Sequence, residues 1–322
     1  MQFTQLPTPY APLGAEVLYA VSHELTTNID LRITDTTNNT LLGAKRFAAV
    51  KTATFDAAPY LRRAVHFTPT TGVTGFYAAS GRIVTAVIEA AVAGGSASVA
   101  SAARSFLPTR THATAPTLLS AMPSNRLISA GECEELTFFT AGACSVTITA
   151  QAAGVVSAEN YTTPTAGVHL FRLNTADYPE AEYLSVDAGV CGKIEYTVVP
   201  RPQGACRVAW RSDAGSIEHY TFPVVASESV EVSKKRAYGA DGHIATAAKQ
   251  EQRRLIRSAY ETQTVLEPLT ELLTAPQVWL VEGERYTPID VVSDKVTTHR
   301  QGALNCLEIE IRAKHKTQKQ WN

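Results

Sequence analysis

The side chains best suited to chemistry are dispersed along this sequence. Histidines stand at positions 23, 66, 112, 169, 219, 243, 299 and 315, with no HExxH motif and no i, i+4 pair to set two imidazoles on one helix face. No metal site is predicted. His219, beside Tyr220, reads as a packing or surface histidine. Asp241-Gly242-His243 offers an acid and a base in one loop, but Asp-Gly is first of all turn chemistry. Cys133, Cys144, Cys191, Cys206 and Cys306 form no CxxC pair and are odd in number, which gives neither a zinc knuckle nor a closed disulfide framework. They read as small buried thiols, with a bridge among the four between 133 and 206 left open.

Glu132, Glu134 and Glu135 crowd around Cys133. Carboxylates at this density can hold calcium, but the DxDxDG loop spacing is absent, and the sequence predicts charges on an exposed strand. GxSxG, GxxxxGK[ST] and GxGxxG are missing from any strand-to-helix setting, so acyl transfer, nucleotide hydrolysis and dinucleotide binding lose their signatures. No catalytic residue and no cofactor is predicted. Trp210 and Trp279 run in phase with Val208 and Val281 and are expected in cores. Trp321, next to last, is left without a role.

The elements that carry these residues read as strands. Val17, Tyr19 and Val21 share one face, Ile29, Leu31 and Ile33 another, and Ile83, Thr85 and Val87 a third, with Val84 and Ile88 breaking the last. Turn clusters fall at 35–39 and 70–75, and a hairpin is expected at Gly94-Gly95. After an Ala, Ser, Thr and Gly-rich stretch the alternation resumes at Leu136 and Phe138, Val146 and Ile148, His169, Phe171 and Leu173, and Ile194, Tyr196 and Val198. It ends at Pro200 and Pro202, which cannot serve a central strand. Residues 207–222 form a hairpin about Ser212-Asp213-Ala214-Gly215. Residues 234–257 are a long excursion or further strands, with a turn at 238–242. Residues 265–273 read as a short helix through Leu266, Leu269 and Leu273, weakened by Pro268 unless that proline lies in the first turn. The fold class expected is mainly β: consecutive antiparallel β-sandwich domains of immunoglobulin or fibronectin type over 1–112 and 113–203, and a β-rich domain over 204–322 with that one helix.

Composition narrows the partners. Lys and Arg total 29 against 30 Asp and Glu, so the whole molecule has no field with which to hold nucleic acid. The basic stretch 312–319 is read as a solvated end. No run approaches the ~20 apolar residues of a membrane span. The first residues lack the basic and apolar regions of an export signal, so a chain starting at its native Met is expected to stay in the cytoplasm where it is made.

Trp210, Gly215, Tyr220 and Phe222 form a W-x4-G-x4-Y-x-F hairpin that resembles one in tail-associated structural proteins of phages and prophages of gut anaerobes. Two further pieces fall in the same order: Phe55-Asp56 with Tyr60-Leu61-Arg62, and Leu272-Leu273 with Pro276, Val278 and Pro288-Ile289. These motifs are short, and residues 113–203 contribute none. The resemblance implies a virion component, built in the host cytoplasm from sandwich domains, that binds itself and other tail proteins and works by association rather than turnover. The four hairpin residues are expected to carry folding. The strand at 304–313, with Leu307, Ile309 and Ile311 on one face, is expected to protect its edge by pairing within its domain or with a neighbouring subunit. The alternative is an adhesin-like module that binds protein or a cell-surface glycan through exposed aromatics. A glycosidase, further off, needs two carboxylates about 5–10 Å apart.

Overall fold

The computed structural model describes residues 1–240, 242–295, 297–314 and 317–320, and it is mainly β. Asp241 and Trp321 lie outside the described residues, as do His315 and Lys316 of the basic stretch. A seven-stranded sheet is built from the first 107 residues around the long hairpin Leu18–Asp35 and Thr40–Asp56. Val17, Tyr19, Val21, Ile29, Leu31 and Ile33 all enter its core, where Tyr19 stacks on Phe55. The expected phase at 83–87 is shifted by one residue. Val84, Ala86, Ile88 and Ala90 face the core, because Thr85 turns outward to the Ser105 hydroxyl at 2.9 Å and Ile83 joins a separate small cluster with Leu107 and Phe139. The strand Val84–Val92 returns through Gly94-Gly95 to Ser98–Ala100. A short helix, Ala58–Leu61, was not expected; its first turn forms where Asp56 accepts from the backbone N–H groups of Val17 and Ala58.

The middle of the chain is a two-sheet sandwich in immunoglobulin order. One sheet runs Asn125–Ser129, Lys193–Val199, Tyr183–Asp187, Cys144–Ala152, Val155–Thr163, with the first pair parallel. The other runs Thr117–Leu118, Cys133–Thr140, Gly167–Asn174 and then Gly75–Ala78. This last strand comes from ahead of the expected boundary at 112, so the first segment of the chain supplies the fourth strand of the second sheet. His169, Leu170, Phe171 and Arg172 pair with Ala78, Tyr77, Phe76 and Gly75, and Phe76 packs edge-on against Phe171 at 5.1 Å.

The remainder forms a nine-stranded sheet whose longest members are Val224–Gly239 and Gly242–Arg257. The helix Gln263–Thr270 and a 3-10 turn, Glu271–Leu273, close one end. Pro268 sits inside this helix rather than in its first turn. The carbonyl left without its donor belongs to Thr264, an exposed residue that water can serve. Leu272, not Leu273, is the fully buried successor to Leu266 and Leu269, because the tighter 3-10 turn brings i and i+3 onto one line. Leu304–Ala313 is an interior strand. It pairs with Gly242–Arg257 on one side and with Arg285–Val291 and Thr297–Gln301 on the other, so most of its length is paired within this chain.

Candidate functional site

The strand Cys206–Arg211 shows how alternation builds the centre of the molecule. Cys206, Val208 and Trp210 point into the C-terminal core with Phe222, Leu307, Ile309 and Ile311. The hairpin and the amphipathic strand singled out in the sequence therefore share one core, with Tyr220 packed at its margin and donating to Glu261 Oε1 at 2.8 Å. Gly215 turns the hairpin at a φ of +89°, and a Cβ there would meet Thr109 at 2.9 Å. Glycine is needed both for the turn and for the close approach of the 108–110 connector. The opposite phase of the strand faces the other domains: Ala209 enters the first core, Arg211 lies over the Phe67 ring at 4.5 Å, and Arg207 reaches the acidic cluster.

That cluster is buried, contrary to the expectation of an exposed strand. Glu132, Glu134 and Glu135 are 4%, 3% and 2% exposed, because Cys133–Thr140 is sandwiched by its own domain on one face and by both neighbours on the other. Glu134 bonds Arg126 at 2.8 Å and Arg207 at 3.0 Å, and Glu132 bonds Arg207 at 3.0 Å. Arg126 also approaches Glu218 at 3.5 Å. Glu135 pairs with Arg82 at 2.5 Å and accepts from the Thr70 backbone and hydroxyl. Arg172, fully buried, reaches across to Glu284 at 2.6 Å. Each domain thus contributes an arginine to one strand of the middle sandwich. Burial pushes the Glu134 carboxyl up against the pull of its two arginines. Charges this deep are held only while each has its partner.

His219 lies beside this network, with Nε2 3.1 Å from the Tyr286 hydroxyl, which is itself 3.4 Å from Cys133 Sγ. Burial, reinforced by Arg207 and Arg172, holds its pKa well below the ordinary 6.5. The folded state therefore keeps His219 neutral where the unfolded chain binds a proton. Its contribution to stability is complete above about pH 6.5 and declines as pH falls below that value, by up to about 1.4 kcal/mol per pH unit. Urea titrations between about pH 7.5 and about pH 5 should show this slope in the wild type and a flatter one in His219→Gln. Equal slopes would remove His219 from the account.

Above the network a groove of about 670 Å³ opens between the five-stranded sheet of the sandwich and the C-terminal domain. Arg126, Glu134, Tyr196 and His219 lie at its base, and Leu127, Tyr183, Glu195 and Glu261 line it further out. The Tyr196 hydroxyl and His219 Nδ1 are buried without a hydrogen-bond partner. The carboxylates at the base are engaged by guanidinium groups, which suits a rigid floor. Sequence reasoning missed this junction. Its only local signal is the run Glu132-Cys133-Glu134-Glu135, whose partners lie as far as 153 residues away.

The five cysteines are buried free thiols. Among the described residues no group of three or more His, Cys, Asp or Glu side chains is placed to hold a metal ion, and no helix is long and apolar enough to cross a membrane.

No family model matches the chain, and no curated protein does. Among solved structures it is similar to the complex of Dpr2 Ig1-Ig2 with DIP-Theta Ig1-Ig3, at 7% identity over 97% of this chain and 89% of that one, with a TM-score of 0.21. It is also similar to DIP-gamma IG1+IG2, at 11% identity over 62% of this chain and 96% of that one, with a TM-score of 0.20. Similarity at this level carries no argument about function.

Proposed function

We propose that this chain is a non-enzymatic structural subunit that works by binding other proteins, as a tail-associated component of a phage or prophage particle. The observation that carries the reading is the contrast between a body joined by buried ion pairs and a long hairpin, Val224–Gly239 with Gly242–Arg257, whose first strand is left uncovered. Nearly every side chain of Val224–Gly239 is exposed, and that strand is the outermost of its sheet. Gly242–Arg257 is backed by Leu304–Ala313 at its base and by Thr317–Gln320 over Ala247–Gln250, so only the tip beyond them is a two-stranded ribbon, marginal alone in water, while the uncovered edge of Val224–Gly239 invites pairing with another chain. The short-motif resemblance at Trp210, Gly215, Tyr220 and Phe222 supports the particle assignment. The adhesin-like alternative draws on one feature, the half-exposed Tyr183 in the groove, which suits stacking on a sugar.

The test is immunogold labelling of particles induced from a strain that carries the gene. Gold at the tail is the expected result. Particles that form normally and lack this chain would sink the assignment.

A further inference from the structure

We propose that the tip of the 224–257 hairpin of one copy docks into the groove of a second copy, giving a head-to-tail contact between identical subunits. The inference deepens the assembly role proposed above and rests on it. Three observations carry it.

The first is charge. Residues 224–257 hold seven Lys and Arg against four Asp and Glu, whereas residues 113–203 hold four against nine. A net charge near zero for the whole chain hides a basic arm and an acidic sandwich. The basic residues at the tip are Lys234, Lys235 and Arg236, all exposed.

The second is matching chemistry at the two contact points. Beside those cations the tip presents Tyr238, 82% exposed, and Ile244, 51% exposed. The groove offers Glu195 and Glu261 beside Leu127 and Tyr183, which are 64% and 52% exposed. Glu195 already meets Lys193 at 2.7 Å, but an exposed ion pair is worth little in water and does not bar a second cation. Below these rims the unpartnered Tyr196 hydroxyl and His219 Nδ1 leave polar capacity unused at the base.

The third is geometry. The hairpin is rooted at the groove, since Pro223 lines it and Val224 begins the arm. A strand of 16 residues spans about 50 Å. A tip at that distance from its own root is out of reach of its own groove, so the matching surface it meets is on another molecule. The two surfaces differ, and a contact of this type repeats into a ring or an open filament.

Light scattering coupled to size exclusion, over a concentration series and from about 0.05 to about 0.5 M salt, tests the contact. The wild type should self-associate, and less so as salt rises. An arm variant (Lys234→Glu, Lys235→Glu, Arg236→Glu) and a groove variant (Leu127→Arg, Glu195→Arg) should each weaken association by about tenfold or more, with wild-type melting temperatures because every substituted side chain is exposed. Mixing the two variants should restore association, since each then meets a surface of opposite sign. A wild type that stays monomeric, an association indifferent to both variants, or a mixture that stays dissociated overturns the inference. Gold-labelled tails together with any of these results leaves the particle assignment standing, and unlabelled particles with charge-swapped rescue removes the assignment alone.

Discussion

Arg207→Met should destabilise the protein by about 3–5 kcal/mol and let its domains unfold separately. Among the described residues Arg207 is the one side chain from the C-terminal domain that engages both Glu132 and Glu134. It meets Glu132 and Glu134 at 3.0 Å each and donates to the Cys133 carbonyl at 2.6 Å and the Thr221 hydroxyl at 2.8 Å. Methionine fills much of the volume but leaves Glu132 without its closest cation in a site that excludes water. Arg207→Lys should fall between the two, since an ammonium keeps the charge and loses the fork that spans both carboxylates. With Trp279 and Trp321 replaced by Phe, Trp210 is the one tryptophan left and reports the C-terminal core, while far-ultraviolet circular dichroism follows every sheet. In this background the two urea transitions should coincide, and with Arg207→Met added they should part. A variant within about 1 kcal/mol of wild type, with coincident transitions, would show that the network holds nothing together.

Trp210→Ala should lower stability by a similar amount, about 3–5 kcal/mol, for a different reason. The indole is completely buried among Phe222, Leu266, Leu269 and Leu307, and alanine leaves a cavity that the surrounding sheet and helix cannot close. Trp210→Phe should recover much of the loss by refilling that space. If Trp210→Ala kept full stability and lost binding to a protein or glycan partner, the residue would be a contact surface and its place in the core would be wrong.

What the sequence disclosed follows from how many faces each strand buries. Val17, Tyr19 and Val21 alternate cleanly because their strand has a core on one side. Leu307, Ile309 and Ile311 do the same, and the pattern located the strand while leaving its neighbours undetermined. The strand Cys133–Thr140 is buried on both faces, so its outer residues Cys133, Glu135 and Thr137 took polar partners from other domains and lost the apolar signal that marks burial. The arm failed in the opposite way. With both faces of Val224–Gly239 exposed, Ser227, Glu228, Ser229, Val230 and Glu231 have no alternation to keep, and only the turn near Gly242 stood out. The segment holding Gly75–Ala78 read as a turn cluster because Thr70, Gly72 and Gly75 dominate its start, and its strand state depends on a partner about a hundred residues later.

That donated strand also sets an order for biogenesis. Gly75–Ala78 leaves the ribosome well before Gly167–Asn174 exists to receive it, so the early segment waits while the rest of the sandwich is synthesised. Contacts this distant in sequence close slowly, and the first domain cannot be treated as finished when its last residue emerges. A fragment starting at residue 113 has the opposite defect: it carries Gly167–Asn174 with an open edge, available to the matching segment of any other copy. Supplying residues 65–83 as a separate peptide would fill that vacancy in trans, the same exchange by which two intact chains at high concentration could trade strands.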